Sequence, residues 1–250
     1  MSELQAVVFD VDGTLVDSER HGHRVAFNRA FEKFELPHRW DEDTYGELLR
    51  VTGGQRRLHH YLEGQGMDGD ERERLVPELH ARKSEIFKEL VEEGRLDLRP
   101  GAARLLSEIQ EAGASLGVVT TGSGHWVEAL LGRVAASVDF DVMVFGDDVE
   151  ERKPDPEAYE VALDRLGLGP AQAVAVEDSA EGLQSALSAG LRCVVVVNGY
   201  TAEHDLSGAD LVLDGFGDDD TPAQVVVDSH GTGCDGVVRL ETLQKLVGAG

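Results

Sequence analysis

The chain has 250 residues, enough for one large domain or for a core with a smaller insert. Its 48 acidic residues outweigh 23 lysines and arginines, for a formal net charge of −25, while 41% of the residues are apolar. That balance excludes nucleic acid and anionic membrane as partners, since both reward basic patches, and leaves enough apolar side chain for a sizeable buried core.

The first strand-like run is Ala6–Phe9, which begins almost at the N-terminus with no signal-peptide pattern before it. No apolar stretch approaches membrane-spanning length, so the expected protein is soluble and cytoplasmic. Directly after this run comes Asp10-Val11-Asp12-Gly13-Thr14. Two carboxylates two residues apart at a strand end repel each other unless something compensates, and a bound Mg²⁺, which prefers hard oxygen ligands, does so. An Asx-type turn leading out of the strand is the metal-free alternative.

From Asp17 to about Leu98 no strand is legible. Helical periodicity marks His23–Phe34, Asp43–Leu49, Gln55–Leu62 and Asp70–Val91, with Gly53-Gly54 as a break between two of them. This predicts a helical domain over 17–98 inserted into a core made of 1–16 and 99–250. Beyond Pro100, strand-like runs at Ser115–Val119, Asp141–Phe145, Ala173–Val176, Cys193–Val197 and Asp210–Leu213 alternate with helical segments. These segments are Ala102–Ala112, Trp126–Leu131, Pro156–Leu166 and Leu183–Ala189. A last strand, Gln224–Val227, and a helix near Arg239–Val247 follow the acidic loop Gly215–Asp220. The alternation predicts an α/β fold: a parallel, Rossmann-like sheet with helices on both faces and ligands at the C-terminal strand ends. Cys193 lies in an apolar run and reads as core, so neither a disulfide framework nor a cysteine metal site is expected.

Three more strand ends carry chemistry: Thr120 after Val118-Val119, Lys153 in Arg152-Lys153-Pro154-Asp155-Pro156, and Glu177-Asp178 after Val176. Taken singly, Thr120 is a helix cap, Lys153 a surface lysine, and Glu177 and Asp178 helix N-terminal carboxylates. Together, in this order, the four blocks resemble the signature of the haloacid dehalogenase-like superfamily, most of whose members are phosphatases. The resemblance implies Asp10 as nucleophile forming an aspartyl-phosphate, Asp12 as general acid and base, and Thr120 and Lys153 as partners of the phosphoryl oxygens. It also implies Mg²⁺ as cofactor, held by Asp10, Asp178 and the Asp12 backbone carbonyl, with Glu177 a further ligand or a support behind them.

The helical insert stands where the superfamily places a mobile cap. Asp17-Ser18-Glu19, His23 to Asn28, Tyr45 to Leu49, and Thr52-Gly53-Gly54 followed by Arg57 are similar to the branch of β-phosphoglucomutase and the CbbY-type sugar phosphatases. That similarity makes Glu19, His23, Gly53, Gly54 and Arg57 candidate substrate contacts, with Thr121 of the core beside them. His23 packed against the helical core is the alternative, and His59-His60 read as a solvated helix face. Where the CbbY pattern has a lysine after Gly-Gly, this chain has Gln55, which weakens the case for a bisphosphate substrate.

The expected activity is a Mg²⁺-dependent phosphatase of a small sugar phosphate, in a monomer or small homo-oligomer. A phosphosugar mutase is the first alternative and a non-catalytic metabolite-binding protein the second. A dehalogenase has no use for the acid at position 12. The cations are mostly arginine, with lysine only at 33, 83, 88, 153 and 245, and an acidic, lysine-poor surface suggests a protein adapted to high salt. Thermal melts across a KCl series check this: the folded state should be lost below molar salt, and a salt-independent melting temperature removes the halophilic reading.

Overall fold

Every strand predicted from the sequence is present. In the computed structural model, which describes residues 3–51 and 53–248, they are β1 (Ala6–Phe9), β2 (Ser115–Val119), β3 (Val142–Val144), β4 (Ala173–Glu177), β5 (Arg192–Val196), β6 (Leu211–Leu213) and β7 (Val225–Asp228). They form one sheet in the order β3-β2-β1-β4-β5-β6-β7. Strands β1 to β6 pair in parallel, with Ala6 opposite both Ser115 and Ala173. The expected parallel sheet is present, with one antiparallel addition at its edge, β7, which pairs with β6. The physical reason is the connection: residues 214–224 contain no crossover helix to carry the chain back for a parallel return. As the edge strand, β7 exposes Val226 and Val227.

The chain divides into two units, Ser18–Leu96 and Met1–Asp17 with Asp97–Gly250. The helical unit opens with a π-helical turn, Glu19–His23, ahead of the first helix predicted from His23. It continues as α1 (Arg24–Lys33), α2 (Glu42–Leu49), α3 (Gly54–Gly64) and α4 (Gly69–Glu92). Asp41 and Asp68 cap α2 and α4 by accepting from backbone amides of the first turn. The core of this unit is aromatic. Phe27 and Phe31 lie with ring centroids 4.7 and 5.0 Å from Trp40, and burying each such ring contributes about 2 kcal/mol. Asn28 holds Trp40 in place, donating to its carbonyl at 2.8 Å and accepting from its amide at 2.7 Å.

In the sheet-bearing unit the helices are α5 (Ala102–Glu111), α6 (Gly124–Val134), α7 (Glu157–Leu166), α8 (Ala180–Ser188) and α9 (Leu240–Gly248). Ala6 and Val8 of β1, Ala173 and Ala175 of β4, and Cys193 and Val195 of β5 pack with α7 and α8 in one apolar layer. The alternate residues, Val7, Phe9, Val174, Val176, Val194 and Val196, are equally buried, so both faces of the sheet are covered. No helix among the described residues is long and apolar enough to cross a membrane. Strand order reverses at β1, between β2 and β4, the switch point at which open α/β sheets bind ligands.

Gly101, at the N-terminus of α5, has φ of +83°, and a Cβ there would lie 2.4 Å from the Gly217 carbonyl oxygen. Gly101→Ala should therefore cost about 2 kcal/mol or more in a urea titration, because left-handed backbone and backbone overlap both oppose it. A loss below about 0.5 kcal/mol, the range of unremarkable surface changes, would show that the segment yields.

Candidate active site

The sheet brings the core candidates together at the C-terminal strand ends. Asp10 follows β1, Thr120 follows β2, Lys153 lies in the loop after β3, Glu177 ends β4 and Asp178 follows it. The loop bearing Lys153 is pinned by Glu157, whose carboxylate accepts from the Glu150 and Glu151 amides, and the Lys153–Pro154 peptide is cis. Lys153 Nζ donates to Asp10 Oδ1 at 2.7 Å, to Glu177 Oε1 at 2.6 Å and to the Val119 carbonyl at 2.9 Å. Burial opposes its charge, yet Asp10 and Glu177 together hold its pKa above the ordinary lysine value.

The carboxylates outnumber that lysine. Asp10, Glu177 and Asp178 are all buried, with one oxygen of each within 4.8 Å of the others. Burial raises Asp10, with Asp12 adding to the rise and Lys153 opposing it. Burial likewise pushes Glu177 up to about 7, against the pull of Lys153. Asp178 rises well above the usual carboxylate range through burial first, then through Asp10 and Glu177. One further atom is out of balance: Asp10 Oδ2 is buried with no hydrogen-bond partner. A hard divalent cation among these oxygens satisfies that atom and relieves the mutual repulsion, so the donor set fits Mg²⁺. Asp12 is partly exposed and its side chain stands outside this cluster. Its backbone belongs to a tight turn closed by Gly13 N to Val16 O at 2.8 Å and Val16 N to Val11 O at 3.1 Å. Thr120 is buried, its Oγ1 accepting from the Gly122 amide at 3.0 Å, whereas Thr121 is exposed in the same loop.

Sequence reasoning missed several members of this site. Tyr159 donates to Glu177 Oε1 at 2.6 Å from the face of α7, so that oxygen serves both Tyr159 and Lys153. Glu177 Oε2 is packed so closely on α8 that a Cβ on Gly182 would lie 1.9 Å from it. Arg99 donates to the Gly13, Val196 and Val197 carbonyls at 2.6, 2.8 and 2.7 Å, and Asn198 donates to Asp178 Oδ2 at 2.7 Å. The available signals were modest: Asn198 closes the fifth strand-like run as Thr120 closes the second, and Arg99 precedes Pro100, where the chain re-enters the core.

The candidates in the helical unit fall into two groups. Tyr45 bridges Glu19 and Arg57, donating to Glu19 Oε2 at 2.5 Å and accepting from Arg57 Nη1 at 3.0 Å. Arg57 is buried, and its Nε donates to the Leu48 carbonyl at 3.1 Å. Gly53 has φ of +91° at the start of α3, and a Cβ on Gly54 would lie 2.6 Å from His80 Nε2; Thr52 lies outside the described residues. His23 stacks on Phe87 with centroids 4.0 Å apart and its Nδ1 lies 2.9 Å from Nζ of Lys83, another residue sequence reasoning had not placed. The His23 ring thus packs on the helical core, beside a buried cation. His59 and His60 stand on the outer side of α3, His60 exposed and His59 partly so.

The sequence profile of the haloacid dehalogenase-like hydrolases matches residues 4–190. The protein CbbY of Cereibacter sphaeroides is 43% identical over 217 residues, covering 85% of this chain and 93% of its own length. A crystal structure of a mutant of CbbY from Rhodobacter sphaeroides, in complex with xylulose-(1,5)bisphosphate, superposes with a TM-score of 0.73 at 42% identity, over 85% of this chain and 94% of that one. A phosphorylated carbohydrates phosphatase of Thermotoga maritima is 32% identical, covering 84% of this chain and 91% of its own.

Burial, then Lys83, depress the His23 pKa to about 3. The unfolded imidazole, near 6.5, then binds a proton that the folded one refuses, so this group's contribution is intact above about pH 6.5 and is lost as pH falls towards 3. The raised core carboxyls act in the opposite sense, so the informative quantity is a difference. Wild type and His23→Asn compared in denaturant between pH 7 and pH 4 should show a stability gap that shrinks on acidification; a gap that is flat or widens contradicts the buried neutral histidine.

Proposed function

The chain belongs to the haloacid dehalogenase-like hydrolases, and from that premise we propose that it is a phosphatase of small phosphorylated sugars with Asp10 as the nucleophile. The observation that carries this is the state of the Asp10 carboxylate: Oδ1 is oriented by Lys153 at 2.7 Å, while Oδ2 is buried without a partner at the strand end.

Asp10 attacks phosphorus, the ester P–O bond breaks, and the phosphoryl group becomes an acyl-phosphate on its carboxylate. Asp12, less buried and standing two residues on, delivers a proton to the departing sugar oxygen. It then takes one from the water that attacks phosphorus and frees Asp10 with inorganic phosphate. Lys153 compensates charge on the phosphoryl oxygens, and the Thr120 hydroxyl donates to one of them. Asp10, Asp178 and the Asp12 carbonyl are the groups suited to hold Mg²⁺, which when bound supplies neutralisation of phosphoryl charge. Glu177, engaged by Lys153 and Tyr159, is assigned to holding the lysine in place.

The sugar specificity rests on two supports. Relatives named CbbY and phosphorylated carbohydrates phosphatase match over most of this chain. The helical unit also concentrates buried cations and donors, Arg57, Lys83 and Tyr45, in a chain whose surface is strongly acidic. We assign that unit, residues 18–96, to substrate selection, with Arg57 as the contact for a second anionic group.

The test is phosphate release from a panel of sugar mono- and bisphosphates in high KCl. Wild type should release phosphate with Mg²⁺ and lose that activity in EDTA, and Asp10→Asn should fall by at least about 10³-fold, as expected for loss of a nucleophile. Equal release by folded Asp10→Asn overturns the assignment. An isomerised sugar phosphate in place of free phosphate identifies a mutase.

A further inference from the structure

Building on that reading of the site, we infer that Asn198 is a positioning residue that fixes the Asp178 carboxylate for cation binding. Asn198 stands just past the C-terminal end of β5 and reaches the end of β4. Its Nδ2 donates to Asp178 Oδ2 at 2.7 Å and to the Gly13 carbonyl at 3.3 Å. Its Oδ1 accepts from the Tyr200 amide at 2.8 Å, and its own backbone amide donates to Thr201 Oγ1 at 3.0 Å. The amide therefore has one satisfactory orientation, since a flip puts its oxygen against a carboxylate and a carbonyl and its NH₂ against an N–H.

The choice of amide matters for charge. Glu177 is held by Lys153, a cation that neutralises as it orients. Asn198 orients Asp178 with a neutral donor and leaves the whole negative charge for a divalent ion, while a lysine or arginine in its place competes with that ion. The surroundings are shaped for this contact. A Cβ on Gly13 would lie 2.4 Å from Asp178 Oδ2 and 2.8 Å from Asn198 Nδ2, so only glycine lets the turn after β1 come this close. Arg99 holds the same Gly13 carbonyl together with those of Val196 and Val197, which lead directly into Asn198. The β1 turn, the end of β4 and the end of β5 are thereby joined at one carboxylate.

The experiment measures Mn²⁺ binding by electron paramagnetic resonance on folded wild type, Asn198→Ala, Asn198→Ser and Thr201→Val. The serine variant keeps a hydroxyl able to accept from the Tyr200 amide but is too short to reach Asp178, so it separates the contact from the loop. Both Asn198 variants should weaken Mn²⁺ tenfold or more and raise the Mg²⁺ needed for half-maximal activity by the same factor. KM for the phosphate ester at saturating Mg²⁺ should stay within about twofold, since a support for a metal ligand leaves the substrate's own contacts in place. Thr201→Val, which loosens the loop alone, should lower the melting temperature with Mn²⁺ affinity unchanged. Asn198 variants that bind Mn²⁺ like wild type, or Thr201→Val weakening it equally, overturn the inference while leaving the phosphatase reading intact. A wild type that binds no Mn²⁺ overturns both.

Discussion

The organising constraint is the burial of Asp10, Glu177 and Asp178 against Lys153. Ionised carboxylates taken out of water repel one another and lose hydration, and the lysine at 2.6 to 2.7 Å compensates only two of them. Much of the local architecture follows from keeping this arrangement in register. β1 and β4 are adjacent parallel strands, so their C-terminal ends deliver Asp10 and Glu177 to the same level, with Phe9 opposite Val176. The loop after β3 is pinned by Glu157 so that its lysine can reach across β2, past the Val119 carbonyl. Gly13 and Gly182 are glycines because carboxylate oxygens occupy the space a side chain would need. The cluster is destabilising as an isolated set of charges and is held by the sheet for its chemistry. That is the expected relation between fold and site, since strain of this kind persists only where the surroundings determine it.

How much of this was legible depends on whether a residue announces itself locally. Asp10, Asp12, Thr120, Glu177 and Asp178 sit at or just past the end of a β-branched run, so one pattern, strand then polar residue, exposed them. Lys153 stood out instead by its place in Arg152-Lys153-Pro154-Asp155-Pro156 ahead of a helix. The strands were equally plain, because a parallel sheet covered on both faces requires continuous apolar runs. Tyr159, Arg99 and Asn198 carry no such mark. Tyr159 reads as an ordinary apolar position on α7, and only the fold shows that its hydroxyl meets Glu177. Arg99 acts through backbone carbonyls 86 to 98 residues away in sequence, contacts that periodicity does not encode. The direction of β7 was hidden for a different reason: alternation marks a strand but not its sense, which depends on what the connection contains.

The helical unit shows how an acidic protein carries cations without surrendering its surface. Lys83 is buried with Nζ 4.9 Å from the Phe27 ring centroid and 5.2 Å from that of Phe87, and it meets a histidine held neutral beside it. Arg57 lies with its guanidinium carbon 5.2 Å from the Tyr45 ring centroid and is tied through that hydroxyl to Glu19. Aromatic faces attract these cations without neutralising them, and the attraction strengthens when the cation is desolvated. The long-range field of a −25 chain repels a phosphorylated metabolite, but salt screens that field beyond about 10 Å at 0.1 M ionic strength. Buried cations are screened far less. With the proposed phosphorylated substrate, a chain of this composition would recognise the anion by contact alone and gain nothing from steering, so raising the ionic strength should remove more repulsion than attraction. Lys153 is shielded from solvent in the same way at the sheet, so the many surface carboxylates do not compete for it.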